Sequence, residues 1–238
     1  MCKTITACQS NYIPWKGYFD LIAAGSEFVV YDEVQFTKND WRNRNVIRTN
    51  DGPLWLTIPV KTSGAFGQRI SEVEVVDGRW RKRHLKSILN HYARAPFVDE
   101  YRGFLEELYL GSETAALSRL TDINQRFLHA FCQQLGIATP FVLMSDLALE
   151  SVDPVERLVE LCRLRGADRY VSGPSAKEYM RPEAFADRGI ELVWFDYDGY
   201  PEYPQIHESF EHGVSVIDLI LNTGPAASTY LKSGARDV

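Results

Sequence analysis

Three stretches of the 238-residue sequence crowd together side chains that can do chemistry. In the first, Cys8, Gln9, Asn11 and Tyr12 supply a thiol, two carboxamides and a phenol, with Trp15, Lys16 and Tyr18 close behind. Amides and hydroxyls are directional donors and acceptors, and aromatic rings are stacking surfaces. A helix starting just after them would offer free backbone N–H groups to an anion. The bland alternative is that Asn11 caps that helix and the aromatics are core. In the second stretch, Asp32, Glu33 and Gln35 precede Lys38, Trp41, Arg42, Asn43 and Arg44. Arg and Lys hold phosphate or carboxylate, Arg bidentately, so an acidic ligand such as a nucleotide-linked sugar is the expected guest. Asp32 with Glu33 could hold a magnesium ion that escorts a diphosphate. Here the bland alternative is a solvated, salt-bridged loop. The third stretch joins Tyr200, Tyr203, Gln205 and His207 to the later Ser215, Asp218 and Asn222. His207 is a general-base candidate by residue type, because imidazole titrates near neutral pH, although a single histidine is often only a satisfied hydrogen-bonding group. Asp218 and Asn222, one helical turn apart, share a face, and a carboxylate in so apolar a segment needs a partner. A weaker fourth feature is Ser172, Gly173, Pro174 and Ser175, a Gly/Ser loop of the kind that exposes backbone N–H groups to phosphate.

The elements that must position these residues follow from periodicity. Residues 4–7 read as a strand, 18–24 as an apolar helix and 28–31 as a buried strand, which together make a βαβ unit and imply a parallel sheet. Ligands then bind beyond the carboxyl ends of the strands, so the loops after residues 8 and 31 should face one crevice. Residues 55–60 read as a third strand, reached through the Asn50-Asp51-Gly52 turn. Residues 79–135 are helical in pattern, with helices at 80–92, 100–110 and 117–135, and form an insert or cap that could serve as a lid or as a dimer surface. Alternation then resumes, with a strand at 139–144, a helix at 154–165, strands at 169–172 and 190–195, and a closing helix at 214–221. The expected fold is a single α/β domain over residues 1–238 with a Rossmann-like, largely parallel sheet and a helical insert at about 79–135.

Composition narrows the function. A net charge of −6 argues against a phosphate-driven nucleic-acid binder. No apolar run reaches the roughly 20 residues of a membrane span, and the first ten residues lack a signal-peptide core, so a cytoplasmic protein is expected. Cys2, Cys8, Cys132 and Cys162 show no metal-knuckle or redox spacing and are expected as free thiols. Templates for P-loops, dinucleotide fingerprints, nucleophile elbows and zinc proteases are absent.

The order of motifs resembles the WbqC-like family over nearly the whole chain. Gln9, Asn11, Tyr12, Pro14, Gly17, Tyr18 and Phe19 come first, then Asp32, Val34 and Gln35, then Trp41, Asn43 and Arg44, then the stretch from Trp55 to Val60. Later matches include Ser145 with Asp146, Ser172 with Gly173 and Pro174, Tyr203 with Gln205, Phe210, Asp218 and Asn222. The resemblance implies a part in bacterial surface-polysaccharide (O-antigen) assembly, with some members resembling acyl or aminoacyl transferases to aminosugars. This chain departs from the pattern around Gln9, where Cys8 stands for a common His or Met and Ser10 for a common Pro.

Residues and resemblance together lead to an expected acyl or aminoacyl transfer to the amine of a nucleotide-activated aminosugar. Lys38, Arg42 and Arg44 would hold the diphosphate, and Gln9, Asn11 and Tyr12 would orient the reacting end. His207 would accept the proton, with Cys8 a covalent relay only if a cation or helix terminus lowers its pKa. The donor would be an acyl or aminoacyl thioester, from an acyl-carrier-type protein for example, with no tightly bound cofactor. Two alternatives belong to other classes: an ATP-using nucleotidyl-transfer or ligase-like enzyme, and a non-catalytic carbohydrate-binding or scaffold protein stacking sugars on Trp15, Trp41, Tyr200 and Tyr203.

Overall fold

The computed structural model describes residues 2–62, 64 and 67–233. Five short strands, β1 (Thr4–Cys8), β2 (Glu27–Val30), β5 (Phe141–Leu143), β6 (Arg169–Ser172) and β7 (Glu191–Trp194), lie all parallel in the order β5-β2-β1-β6-β7. The remaining strands, β3 (Arg44–Thr49) and β4 (Gly52–Thr57), form a separate antiparallel hairpin. The fold is therefore α/β with a doubly wound sheet: the chain starts in the centre at β1, steps outward to β2 and β5, then returns to continue on the other side.

Strand alternation sorts side chains onto two cores. Phe28 and Val30 of β2 join one apolar cluster, and Val29 between them joins the other. The smaller core is closed by α6 (Pro154–Leu164) and α7 (Pro182–Ala186), through Leu158, Leu161, Cys162 and Phe185. Helix α6 starts where it does because Asp153 accepts from the N–H groups of Val155 and Glu156 while Pro154 occupies the first turn. The larger core is shared by α1 (Lys16–Ala23), the hairpin and α8 (Val216–Thr223) with four helices of the middle region, α2 (Arg79–His91), α3 (Val98–Leu110), α4 (Ser112–Ala116) and α5 (Leu120–Gln134). Trp80, Ile88, Tyr109, Phe127 and Phe131 are fully buried there beside Phe19 of α1 and Ile220 of α8. The amphipathic faces read as lid or dimer surface are thus packed into the chain's own core.

Three local expectations are corrected. The strand expected at 55–60 is not a member of the main sheet: residues 52–57 pair with residues 44–49 across the Asn50-Asp51 turn, where Gly52 has φ +105°. The charged residues leading into Val46 and Ile47 disguised that partner strand as loop. The helix expected at 117–135 starts only at Leu120, because residues 117–119 are extended: Ser118 accepts from the Val75 N–H and Val73 accepts from the Leu120 N–H. Helix α1 begins at Lys16 rather than residue 18, and its cap residue is Trp15, which makes no side-chain cap bond. Asn11 therefore does not cap it. No helix among the described residues is long and apolar enough to cross a membrane.

Candidate functional site

The strand order reverses between β1 and β6, and in such sheets the loops leaving the carboxyl ends of those strands diverge and leave a crevice. The loops here begin at Gln9 and Gly173, and the loop after β7 joins them: the Phe195 N–H donates to Ser172 O, and a β-carbon on Gly173 would lie 3.7 Å from the Tyr197 hydroxyl.

Arg42 is the cation of this crevice. Its Nη2 donates to Gln9 Oε1 at 2.9 Å, and its Nη1 pairs with Asp40 at 3.1 Å. Gln9 is held from behind, its carbonyl accepting from the Tyr18 hydroxyl at 2.7 Å. Tyr197 stacks obliquely on Trp15, centroids 5.4 Å apart, and Trp15 lies so close over Gly17 that a β-carbon there would collide with its ring. Between Gln9 and Trp15 the loop is strained and incompletely satisfied. Ile13, a β-branched residue, has φ +37°, and the buried Asn11 Oδ1 has no hydrogen-bond partner among the described residues. Cys8 lies at the floor. Burial pushes its thiol up to about 11 even though Arg42 pulls the other way, so the sulfur is protonated at neutral pH. The condition for a covalent relay, a lowered thiol pKa, is not met.

Several other expected site residues are structural in this fold. The Tyr12 hydroxyl is buried between His84 Nδ1 at 2.9 Å and the Tyr109 hydroxyl at 2.8 Å. Asp32 is buried and accepts from the Ser10 N–H, the Ser10 hydroxyl and the Thr121 hydroxyl, while Glu33 pairs with Arg69. Burial raises the Asp32 pKa against those hydrogen bonds, and its oxygens are taken by donors that tie the β1 and β2 loops to α5. Asn43 donates to the Ile58 carbonyl, Gln35 meets Arg69 through backbone pairing, and Lys38 is exposed. Ser172 is buried at the end of β6. Trp41 and Arg44 are not consumed in this way: both lie against the exposed Trp55 ring of the hairpin.

The third stretch forms a second, separate cluster. Asp218, fully buried, accepts from the hydroxyls of Tyr92 at 2.7 Å and Tyr203 at 2.8 Å and from Gln205 Nε2 at 2.8 Å. Asn222 accepts from the Ile206 N–H and donates to the Asp218 carbonyl. Burial raises the Asp218 pKa and lowers that of His207, which packs on Tyr92 with neither ring nitrogen bonded among the described residues. The hydrogen bonds of this cluster run to Tyr92, Tyr203 and Gln205 rather than to Gln9 or Arg42, so His207 and Asp218 stand apart from the crevice. The two clusters meet at the start of α1, where Trp15 packs against Tyr200 and the Val216 N–H donates to the Pro14 carbonyl. Lys16, 2% exposed, donates to the Pro201 carbonyl at 2.7 Å, with its ammonium over the rings of Tyr200 and Tyr203.

Sequence reasoning missed Tyr197. The signal was available, because it lies two residues past a strand read at 190–195, and loops past carboxyl ends are where such folds bind.

A profile of the WbqC-like protein family matches residues 9–230. An uncharacterized protein of Mycobacterium tuberculosis (strain ATCC 25618 / H37Rv) is 43% identical over 230 residues, covering 97% of this chain and 98% of the relative. No solved structure matches. With the motifs spread from Gln9 to Asn222, the chain belongs to the WbqC-like protein family.

Proposed function

We propose that this chain is a transferase of surface-glycan assembly in the cytoplasm, moving an acyl or aminoacyl group onto the amine of a nucleotide-activated aminosugar. The observation that carries the reading is Arg42, a cation braced on Gln9 at the switch point of the sheet, where a phosphorylated ligand finds both a charge and a directional amide. The Trp15–Tyr197 pair gives the sugar an aromatic wall. Asn11 Oδ1, buried and unbonded among the described residues, is an acceptor in reserve for an N–H of the substrate.

Transfer on this reading is direct. A thiol held near 11 is a poor nucleophile at neutral pH, so Cys8 lines the floor and the amine attacks the donor carbonyl itself, the thioester C–S bond breaking and the released thiolate taking up the amine's proton. The donor is an activated acyl or aminoacyl thioester, free or carried by a protein.

The test is a thermal-shift and calorimetric screen of nucleotide-aminosugars, acyl thioesters and ATP with and without magnesium, followed by mass analysis of mixed donor and acceptor. A nucleotide-aminosugar should raise the melting temperature of the wild type and not of Arg42→Ala. A response to ATP alone would replace this reading with nucleotidyl transfer. Binding without product under every donor would replace it with a non-catalytic carbohydrate-binding role.

A further inference from the structure

Large aromatic side chains are mostly buried in this fold, yet Trp41 and Trp55 are 43% and 42% exposed. They are also together: their ring centroids are 5.4 Å apart with planes inclined by 35°. The hairpin produces this pair. Trp55 sits opposite Val46 in the ladder and shares its face of the hairpin with Val46 and Arg44; Val46 is buried there and Trp55 is left largely on the surface, while Trp41 arrives from the loop that precedes β3. The guanidinium of Arg44 lies 4.2 Å from the Trp55 ring centroid. Arg44 makes no salt bridge among the described residues, and its Nε is buried without a hydrogen-bond partner.

Two half-exposed indoles and a cation with no carboxylate of its own suit a flat, electron-rich ring attached to an anion. A neutral pyranose would more naturally meet side-chain acceptors for its hydroxyls, and Trp55 is flanked instead by the cation. The platform is also joined to the loop after β1 through the backbone. The Tyr12 N–H donates to the Trp41 carbonyl at 3.0 Å, and the next residue, Arg42, reaches Gln9. Trp41 and Arg42 are thus tied to the loop that leaves the carboxyl end of β1, with Arg44 two residues further along the chain.

We propose that Trp41, Trp55 and Arg44 form the nucleobase subsite of this protein, the base stacking on the exposed indoles while the diphosphate passes from Arg44 to Arg42. This rests on the nucleotide-sugar reading above for the direction of the ligand, but the platform binds the base whichever group the crevice receives. The sheet-end glycine loop at Gly173 and the aromatic wall at Trp15 then face the sugar, and recognition of base and of sugar falls to separate parts of the chain.

The experiment titrates the full chain with uridine, thymidine and guanosine diphosphates, the matching nucleotide-sugars, a sugar 1-phosphate and a neutral oligosaccharide, following tryptophan fluorescence and heat. At least one nucleoside diphosphate should quench and bind. Because stacking a base on an aromatic ring contributes about 1–3 kcal/mol, Trp55→Ala and Trp41→Ala should each weaken that nucleotide about fivefold or more. Neither should change affinity for the sugar 1-phosphate. Trp55→Phe should restore part of the loss, and both positions are exposed enough for the variants to keep the wild-type melting temperature without ligand. Nucleotide-sugar affinity lost in Arg42→Ala but unchanged in both tryptophan variants would overturn the subsite and leave the transferase reading standing. Nucleoside diphosphates binding through the tryptophans, with no added affinity or product from any nucleotide-sugar, would do the reverse. Quenching by the oligosaccharide and by no nucleotide would assign the platform to saccharide and overturn the proposal, as would the absence of any nucleotide binding.

Discussion

The crevice at Gln9 and the cluster at Asp218 hold similar inventories of amide, phenol and charge, but only one of them is closed. Around Asp218 the carboxylate is wrapped by Tyr92, Tyr203 and Gln205, although the His207 ring beside it has no hydrogen bond among the described residues. Around Gln9, Arg42 rests on an amide and a half-exposed aspartate, Ile13 is strained and Asn11 Oδ1 is unbonded. A buried polar group that is fully paired stabilises one conformation, whereas polarity left open at the mouth of a switch point is available to a ligand. Residue type alone does not separate the two cases, and partner count does.

The sharpest way to break this comparison is to remove the closed centre. Asp218→Ala leaves two buried hydroxyls and an amide without their acceptor and should cost about 3–6 kcal/mol of unfolding free energy in urea melts. Retention of full stability would mean the cluster is open after all.

The next effects are set by pH. His84, buried against Tyr12, is held down to about 4 by desolvation. Between pH 6.5 and 4 the unfolded chain takes up a proton that the folded chain refuses, so stability should fall as pH falls through that window. The loss should reach up to about 3 kcal/mol and be absent from His84→Gln. Denaturant midpoints of the two proteins across that range decide it. Lys16 titrates at about 8 because burial outweighs the attraction of Asp20 and Asp218. From pH 8 to 10.5 the unfolded chain keeps a proton that the folded chain has lost. The stability of wild type relative to Lys16→Met should therefore rise with pH across that window, by no more than about 3 kcal/mol. An NMR titration of the Lys16 side chain with its midpoint near 8 checks the cause directly.

The smallest expected effect belongs to the open site. Cys8→Ser should leave melting temperature and turnover close to wild type, and Cys8 should resist alkylation at neutral pH, because its thiol is protonated. Loss of turnover in Cys8→Ser would restore the covalent relay.

Much of the frame was legible in the sequence, because period-two and helical patterns survive where one face is buried. Strand β6 falls at residues 169–172 as read, and the Asp153-Pro154 start of α6 is a local signal. What failed was pairing. Nothing local says that residues 44–49 bond to 52–57, since Arg44 and Asn45 read as loop until Val46 and Ile47 find the core. Site residues divided the same way. Gln9 and Arg42 lie in stretches the residue types singled out, yet Tyr12 and Asp32 in the same stretches are consumed by His84, Tyr109, Ser10 and Thr121, partners up to 97 positions away. Long-range satisfaction is invisible to spacing.

The sheet starts at its centre, and that order has a consequence for biosynthesis. Strand β1 pairs with β2 within the first 30 residues, but its other neighbour pairs Ile5 with Tyr170, so one wall of the crevice is made only after most of the chain has left the ribosome. Until then the β6-facing edge of β1 carries unpaired backbone groups, an open template for a foreign strand. A nascent or truncated chain ending before residue 169 would have the cation at Arg42 and the indoles on the hairpin but no opposing wall, and would depend on chaperones to keep that central edge from pairing with a stranger.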